Sequence, residues 1–241
     1  MPTDIAAIPT PLKIAPFVLA LCFLTCPALA SSSVQQCLQS FVAKANGEVA
    51  RLRTDYAKIA PPDTERSTDL KRLALLRATD QAIREPFLHR CGAALNSPAL
   101  KPAAMAMIAA DQWDQKQLQL ILGRIGWPVI SRYGVEADQT AFLIVQHATG
   151  DLPFQREVLA KLEKLLAAKE TGGENYALLY DRVHEMEGRM QRFGTQGDCH
   201  GKAWIPGPIE DVAGVDKRRA ALGMPPLAQS NAIAETMYCR G

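Results

Sequence analysis

Aromatic residues are scarce, at 6% of a 241-residue chain, and Lys and Arg (27) barely outnumber Asp and Glu (25). A nucleic-acid-binding surface draws on basic stripes and stacking rings, and neither stands out here. No block of like charge occurs, which excludes a polyelectrolyte tail. No apolar run approaches the ~20 residues of a bilayer-spanning helix. Period-two alternation, internal repeats and low-complexity tracts are missing too, which argues against sandwiches, barrels and solenoids. There is no HExxH and no GxSxG, so the sequence offers neither a local zinc motif nor a nucleophile elbow. The four histidines lack partners at metal-ligand spacing. The expectation is therefore no metal and no cofactor.

What is present begins with an N-terminal targeting pattern. Lys13 precedes the apolar run IAPFVLALCFLTC, and Ala28-Leu29-Ala30 offers small residues for cleavage. Thr25 before Cys26 fits a lipoprotein site poorly. We read residues 1–30 as a signal peptide, with release after Ala30 into the periplasm or the medium and no stable membrane anchor afterwards. Removing it takes away Asp4 and Lys13 and leaves the net charge at +2.

Cleavage also removes Cys22 and Cys26. An even number of cysteines in an exported chain argues for disulfides. Local pairing, Cys37–Cys91 and Cys199–Cys239, is the expected arrangement, each bridge worth about 3–4 kcal/mol in the chain-entropy picture.

Composition is 48% hydrophobic, enough for a sizeable core. Helical spacing predicts helices over 34–59, 68–89, 111–125, 137–148, 153–168 and 174–190. Leu73, Leu76, Ile83 and Phe87 mark the inner face of the second. Asp80 completes that stripe, and an acid there is costly unless paired; Arg84, four residues on, can reach it. Leu118, Ile121, Leu122 and Ile125 mark the third, Leu159, Leu162 and Leu166 the fifth, and Leu179, Val183, Met186 and Met190 the sixth. Pro61-Pro62 and Gly126-Trp127-Pro128 are breaks. The stretch from Phe193 to Asp216 is Gly/Pro-rich and aperiodic and reads as a long loop. A short helix, VDKRRAAL, follows. The prediction is a mainly α protein: an N-terminal helical extension over 31–67, then a single helical domain over 68–241 of about six helices with a Gly/Pro-rich C-terminal loop region.

The polar residues that interrupt this pattern are the candidate site. Gln146 and His147 close an apolar segment just before Thr149-Gly150-Asp151. Either they satisfy a helix C-terminus or His147 lines a cleft as a proton-transfer group or ligand contact. Gln155, one turn beyond, lies on an otherwise apolar face. Asp181 and Arg182 sit mid-helix. They form a solvated face or a structural ion pair with another helix, or Asp181 orients His147 while Arg182 binds an anionic or carbonyl group. Gly194-Thr195-Gln196 follows as a capping loop or a pocket lining. Arg218 and Arg219 complement a helix C-terminus or bind an anion.

The ordered set GWP, VQHATGDLPFQ, YDRV, RFGTQG and DKRRAALGMPPL, with LRATDQAIR upstream, resembles a bacterial family known as domain-of-unknown-function family 6624. The likeness spans roughly residues 68–228. It brings no established activity, substrate or cofactor. Asp80, Gln81, Arg84, Gln146, His147, Gln155, Asp181, Arg182, Gln191, Thr195, Gln196, Arg218 and Arg219 match its pattern. Phe193 departs from it, standing where Tyr is more usual.

Amides donate and accept at fixed geometry, so a set rich in them suits a polar ligand. The leading expectation is a cleft around His147 and Asp181 that binds a small polar ligand through Gln81, Arg84, Gln146, Gln155, Arg182, Gln191, Thr195 and Gln196. The alternatives are a hydrolase-like enzyme with His147 and Asp181 as its acid/base pair, and an envelope protein-interaction or immunity-type module whose partner is another protein.

Overall fold

The computed structural model describes residues 28–59, 65–89 and 98–239, the side chains of 28–33 and 85–89 excepted. Most of the expected signal peptide, the Pro61-Pro62 break, the side chain of Phe87 and Cys91, and with it the expected Cys37–Cys91 bridge, lie outside the described residues.

The chain is mainly helical, as its periodicity predicts. Among the described residues it forms α1 (Ala28–Lys58), α2 (Arg66–His89), α3 (Lys101–Ile125), α4 (Ile130–Tyr133), α5 (Val135–His147), α6 (Leu152–Leu166), α7 (Gly173–Met186), α8 (Val215–Ala221) and α9 (Leu227–Tyr238). Nine helices thus replace the six expected. Beyond the six long helices, α8 is the short helix expected at VDKRRAAL, while α4 and α9 are too short or too weakly amphipathic to show a strong period. Moreover, α3 starts at Lys101, not near 111, because Ala-rich sequence favours helix and Pro102 sits in its first turn, where a missing N–H costs nothing.

The presumed long loop also holds a two-stranded antiparallel hairpin, β1 (Gly197–His200) with β2 (Ala203–Pro206). With four residues per strand, its alternation is too brief to read. Cys199 faces Trp204 across this pair, and Cys199 bonds to Cys239, as expected.

One core cluster joins α2, α3, α5, α6 and α7. Leu73, Leu76, Leu118, Ile121, Val145, Val158, Leu162, Leu179 and Val183 are all at most 2% exposed. Each such side chain contributes about 1.5–3 kcal/mol on leaving water. A smaller cluster of Ala45, Val49, Ile83 and Ala110 seats α1 on α2 and α3. Met186 and Met190, read as inward-facing, are exposed. α7 stops at Met186, and Gly188, at φ 71°, turns the chain away from the bundle.

Buried carboxylates hold the turns between helices. Asp138, fully buried in the first turn of α5, accepts from Trp127 Nε1 (2.7 Å), Thr171 Oγ1 (2.7 Å), Gly172 N (2.9 Å) and Asn175 Nδ2 (2.8 Å). It ties the start of α7 to the GWP break. Gly173 is required at this junction, since a Cβ there would stand 2.4 Å from the Leu222 carbonyl oxygen.

Candidate functional site

α5 is apolar through Ala141, Phe142, Ile144 and Val145 and ends at His147. The chain then turns through Thr149-Gly150 into Asp151, which caps α6 by accepting Phe154 N at 3.0 Å. Gln155 is fully buried behind that turn, and its Nε2 donates to Val145 O (2.9 Å) and Gln146 O (3.5 Å). Gln155 therefore satisfies the last carbonyls of α5 and is not among the residues lining the cleft. The expected contact is corrected to a support that fixes the end of α5, with Gln146 and His147 on it.

The partner of His147 is not Asp181. His147 Nδ1 stands 2.6 Å from Oδ1 of Asp80, which is fully buried on α2. Asp80 also pairs with Arg84 (Nη1, 2.9 Å) and accepts Gln81 Nε2 (2.7 Å). Arg84 reaches on to Asp111 Oδ1 on α3 (2.8 Å). Gln81 and Arg84, expected on the ligand, thus brace the acid behind the histidine.

Asp181 is spoken for elsewhere. Its carboxylate, fully buried on α7, accepts the backbone N–H of Arg192 (2.7 Å), Phe193 (3.1 and 3.2 Å) and Thr195 (2.9 Å). The Gly194-Thr195-Gln196 loop must pass close over α7 for this to occur. Gly194 takes φ 68°, and a Cβ there would stand 2.7 Å from Ile209. Gln191 finishes the loop: Oε1 accepts Gln196 N (2.7 Å) and Nε2 donates to Gln196 O (2.9 Å). Fully buried, it shapes the loop and is not among the cleft's lining residues. Arg219 is likewise 1% exposed and donates to Phe193 O (2.7 Å), Pro225 O (2.8 Å) and Ser230 Oγ. Arg218 binds Asp211 and the Arg192 carbonyl.

These supports frame a cleft of about 560 Å³. Gln146 and His147 of α5, Arg182 of α7 and the Thr195-Gln196 loop all line it. Of the ten residues expected at the site, these five converge on the concavity. Glu174 and Glu185 add acids. Its outer wall is apolar and aromatic: Trp204 of β2 with Ile233, Met237 and Tyr238 of α9, the two rings 5.6 Å apart. Periodicity could not signal that wall, because α9 has no buried residue and a weak apolar face.

Arg182 is the least compensated group in the cleft. Its Nη1 donates to the Gln146 carbonyl (3.1 Å), its buried Nε has no hydrogen-bond partner among the described residues, and no carboxylate there lies within ion-pair distance. Burial lowers its pKa, and Glu185 works against that. Desolvation also raises Glu185, with Asp198 adding to it.

Behind His147 lies a charged cluster that sequence reasoning missed. Asp111 and Asp114 stand one turn apart on α3. Burial raises Asp111. Asp114 is 1% exposed, neither carboxylate oxygen has a partner among the described residues, and burial, reinforced by Asp80, pushes its carboxyl up to about 8. The signal was the AADQWDQ stretch, whose Asp114 falls one turn before Leu118 on the inner face of the helix.

Fold and site together define a mainly α-helical protein with a polar cleft closed on one side by a disulfide-tethered hairpin and helix. The chain belongs to a family of unknown function (DUF6624), whose model matches residues 35–240. No curated protein and no solved structure matches it.

Proposed function

We propose that the cleft binds a small polar ligand carrying a carboxylate or phosphate group, with Arg182 as its anchor. The observation that carries this reading is the half-buried guanidinium, which makes no ion pair among the described residues and whose buried Nε has no hydrogen-bond partner there. A cation drawn out of water without a directly paired counter-charge is costly, and an anionic ligand relieves that cost through charge-assisted bonds. Gln146, Thr195 and Gln196 supply neutral donors and acceptors beside it. Trp204 and Tyr238 offer a face for an apolar or ring-shaped body.

The test is calorimetric titration with a panel of small carboxylates and phosphates, repeated on Arg182→Ala. The expected result is binding that weakens at least tenfold in the variant while its thermal melt is unchanged. A panel with no binder, or equal binding by the variant, sinks the proposal.

One observation favours catalysis as a second reading. Asp80 holds Nδ1 of His147 as an orienting carboxylate holds a general acid/base. The acid/base pair is then His147 with Asp80, since Asp181 is committed to the loop. On this reading His147→Ala abolishes turnover of a bound ester, amide or phosphoester and leaves its binding intact. Unchanged turnover in that variant removes it.

We further infer export to the periplasm or medium. The Cys199–Cys239 bridge supports it, and no helix among the described residues is long and apolar enough to cross a membrane. Cell fractionation tests it, and a reduced, cytoplasmic pool would overturn it.

A further inference from the structure

We propose that Asp80, Asp111 and His147 bind a divalent metal ion beside the cleft. Three helices bring them together: Asp80 from α2, Asp111 from α3 and His147 from α5. One carboxylate oxygen of each acid and a ring nitrogen of the histidine lie within 4.8 Å of one another. Ligand atoms around an ion with bonds of roughly 2.1 Å are about 3 Å apart as neighbours and about 4 Å apart across it. The trio is therefore within several tenths of an ångström of one coordination shell: the 2.6 Å pair of Asp80 and His147 must open slightly and any pair near the 4.8 Å limit must close.

A buried, unpartnered acid points the same way, independently of that geometry. Asp114 is one turn from Asp111, almost completely buried, and unpartnered at both oxygens among the described residues. Asp80, Asp111 and Arg84 all act on it electrostatically, as does Arg53 from α1. Arg53 lies over the Trp113 ring, 4.7 Å from its centre. Arg84 bonds to Asp80 and Asp111, and neither it nor Arg53 bonds to Asp114. Both oxygens of this buried acid are left without a hydrogen-bond partner among the described residues, and a dication beside Asp80 and Asp111 would supply positive charge next to it. Arg84 does not block the site, because each carboxylate oxygen has a second lone pair and Asp111 Oδ2 has no hydrogen bond among the described residues.

The donor set also bears on which ion fits. Two carboxylates and one imidazole suit Mn²⁺ or Zn²⁺ better than Ca²⁺, which prefers six or more oxygens. An ion at Nδ1 requires neutral imidazole, with its proton on Nε2, so binding weakens in acid. The ion would turn His147 from an acid/base into a ligand and place a Lewis acid beside Arg182. This inference stands independently of the anion-binding reading.

The experiment is calorimetric titration of the metal-stripped protein with MnCl₂ and with ZnCl₂, paired with thermal melts. Wild type, Asp111→Asn, His147→Gln and Arg182→Ala are compared. One ion per chain in wild type, weakened at least tenfold in Asp111→Asn and His147→Gln and unchanged in Arg182→Ala, is the expected result. The ion should also raise the melting temperature of wild type and not of Asp111→Asn, which retains a hydrogen-bonding isostere and should fold. No binding below millimolar concentration by wild type, or equal binding by Asp111→Asn, overturns the proposal. Because Arg182→Ala separates the two functions, failure of the metal site and failure of the anion site are read independently.

Discussion

Asp181 on α7 and Thr195, fourteen residues later, are joined by a 2.9 Å bond from the Thr195 N–H to the Asp181 carboxylate. That bond is one of several by which a single buried acid folds the Gly194-Thr195-Gln196 loop over its own helix. Asp181→Asn removes the charge and leaves one acceptor oxygen for the Arg192, Phe193 and Thr195 amides. The expected cost is about 2–4 kcal/mol in chemical denaturation. Ligand affinity should fall with it, since Thr195 and Gln196 lose their frame. A variant as stable as wild type would mean that the loop holds its shape without Asp181.

Asp138 makes a second such prediction, remote from the cleft. Its four donors come from the GWP break, the turn before α7 and α7 itself. Asp138→Ala leaves four donors unmatched in the interior and should cost about 3–5 kcal/mol. Trp127→Phe removes only one of them and should cost less. If the two variants melted together, loss of one donor would already cost as much as loss of the shared acceptor, and the graded expectation would fail.

Asp114 ties stability to pH. Its folded carboxyl holds its proton up to about pH 8, whereas in the unfolded chain it releases it near the ordinary 3.8. The folded state thus binds more protons than the unfolded one between those values, and stability falls as pH rises through them. At pH 7 the burden is on the order of 4 kcal/mol at most. Burial is its largest cause, and the charged groups that modify it are Asp80 and Arg84 on α2, Asp111 on α3 and Arg53 on α1. With chelator present, Asp114→Asn should match wild type near pH 4 and exceed it at pH 8. Parallel stability curves across that range would contradict the assignment.

The Cys199–Cys239 bridge, spanning 40 residues, fastens the end of α9 to the hairpin. The Cys199→Ser, Cys239→Ser double variant should lose up to about 4 kcal/mol in the chain-entropy picture. Its helical circular dichroism should remain largely intact, because α9 contributes nothing buried to the bundle. The anion of the binding panel should bind more weakly as the Trp204–Tyr238 wall loosens. Undiminished binding would show that this wall is not part of the site.

The helical core was legible because Leu73, Leu76, Leu118, Leu162 and Leu179 recur at 3.6-residue spacing and all are buried. Half of the site was legible for a related reason. Gln146, His147, Thr195 and Gln196 are polar groups placed where a helix ends or a glycine bends the chain, Arg182 is a cation within a helix, and all five line the cleft. The pairing of His147 was misread because contacts between helices leave no local spacing. Asp181 is nearer to His147 in sequence, but Asp80 meets it in space. The clue was Asp80 itself, an acid on an apolar stripe, for which Arg84 appeared a sufficient partner. Gln155 and Gln191 were misassigned for a different reason: a buried amide that closes a turn and one that grips a ligand look identical in one dimension.

The outer wall of the cleft rests on α9, and no residue of that helix is buried. Its apolar side chains, Ile233, Met237 and Tyr238, are all more than half exposed. Exchanging them removes little from the core, and the covalent tether at Cys239 keeps the helix in place while they change. Across the family this wall can therefore drift at small cost, while the inner wall of His147 and Arg182, rooted in buried acids and amides, cannot. Divergence in what these proteins bind should concentrate on α9, with the chemistry of the anchoring end held constant.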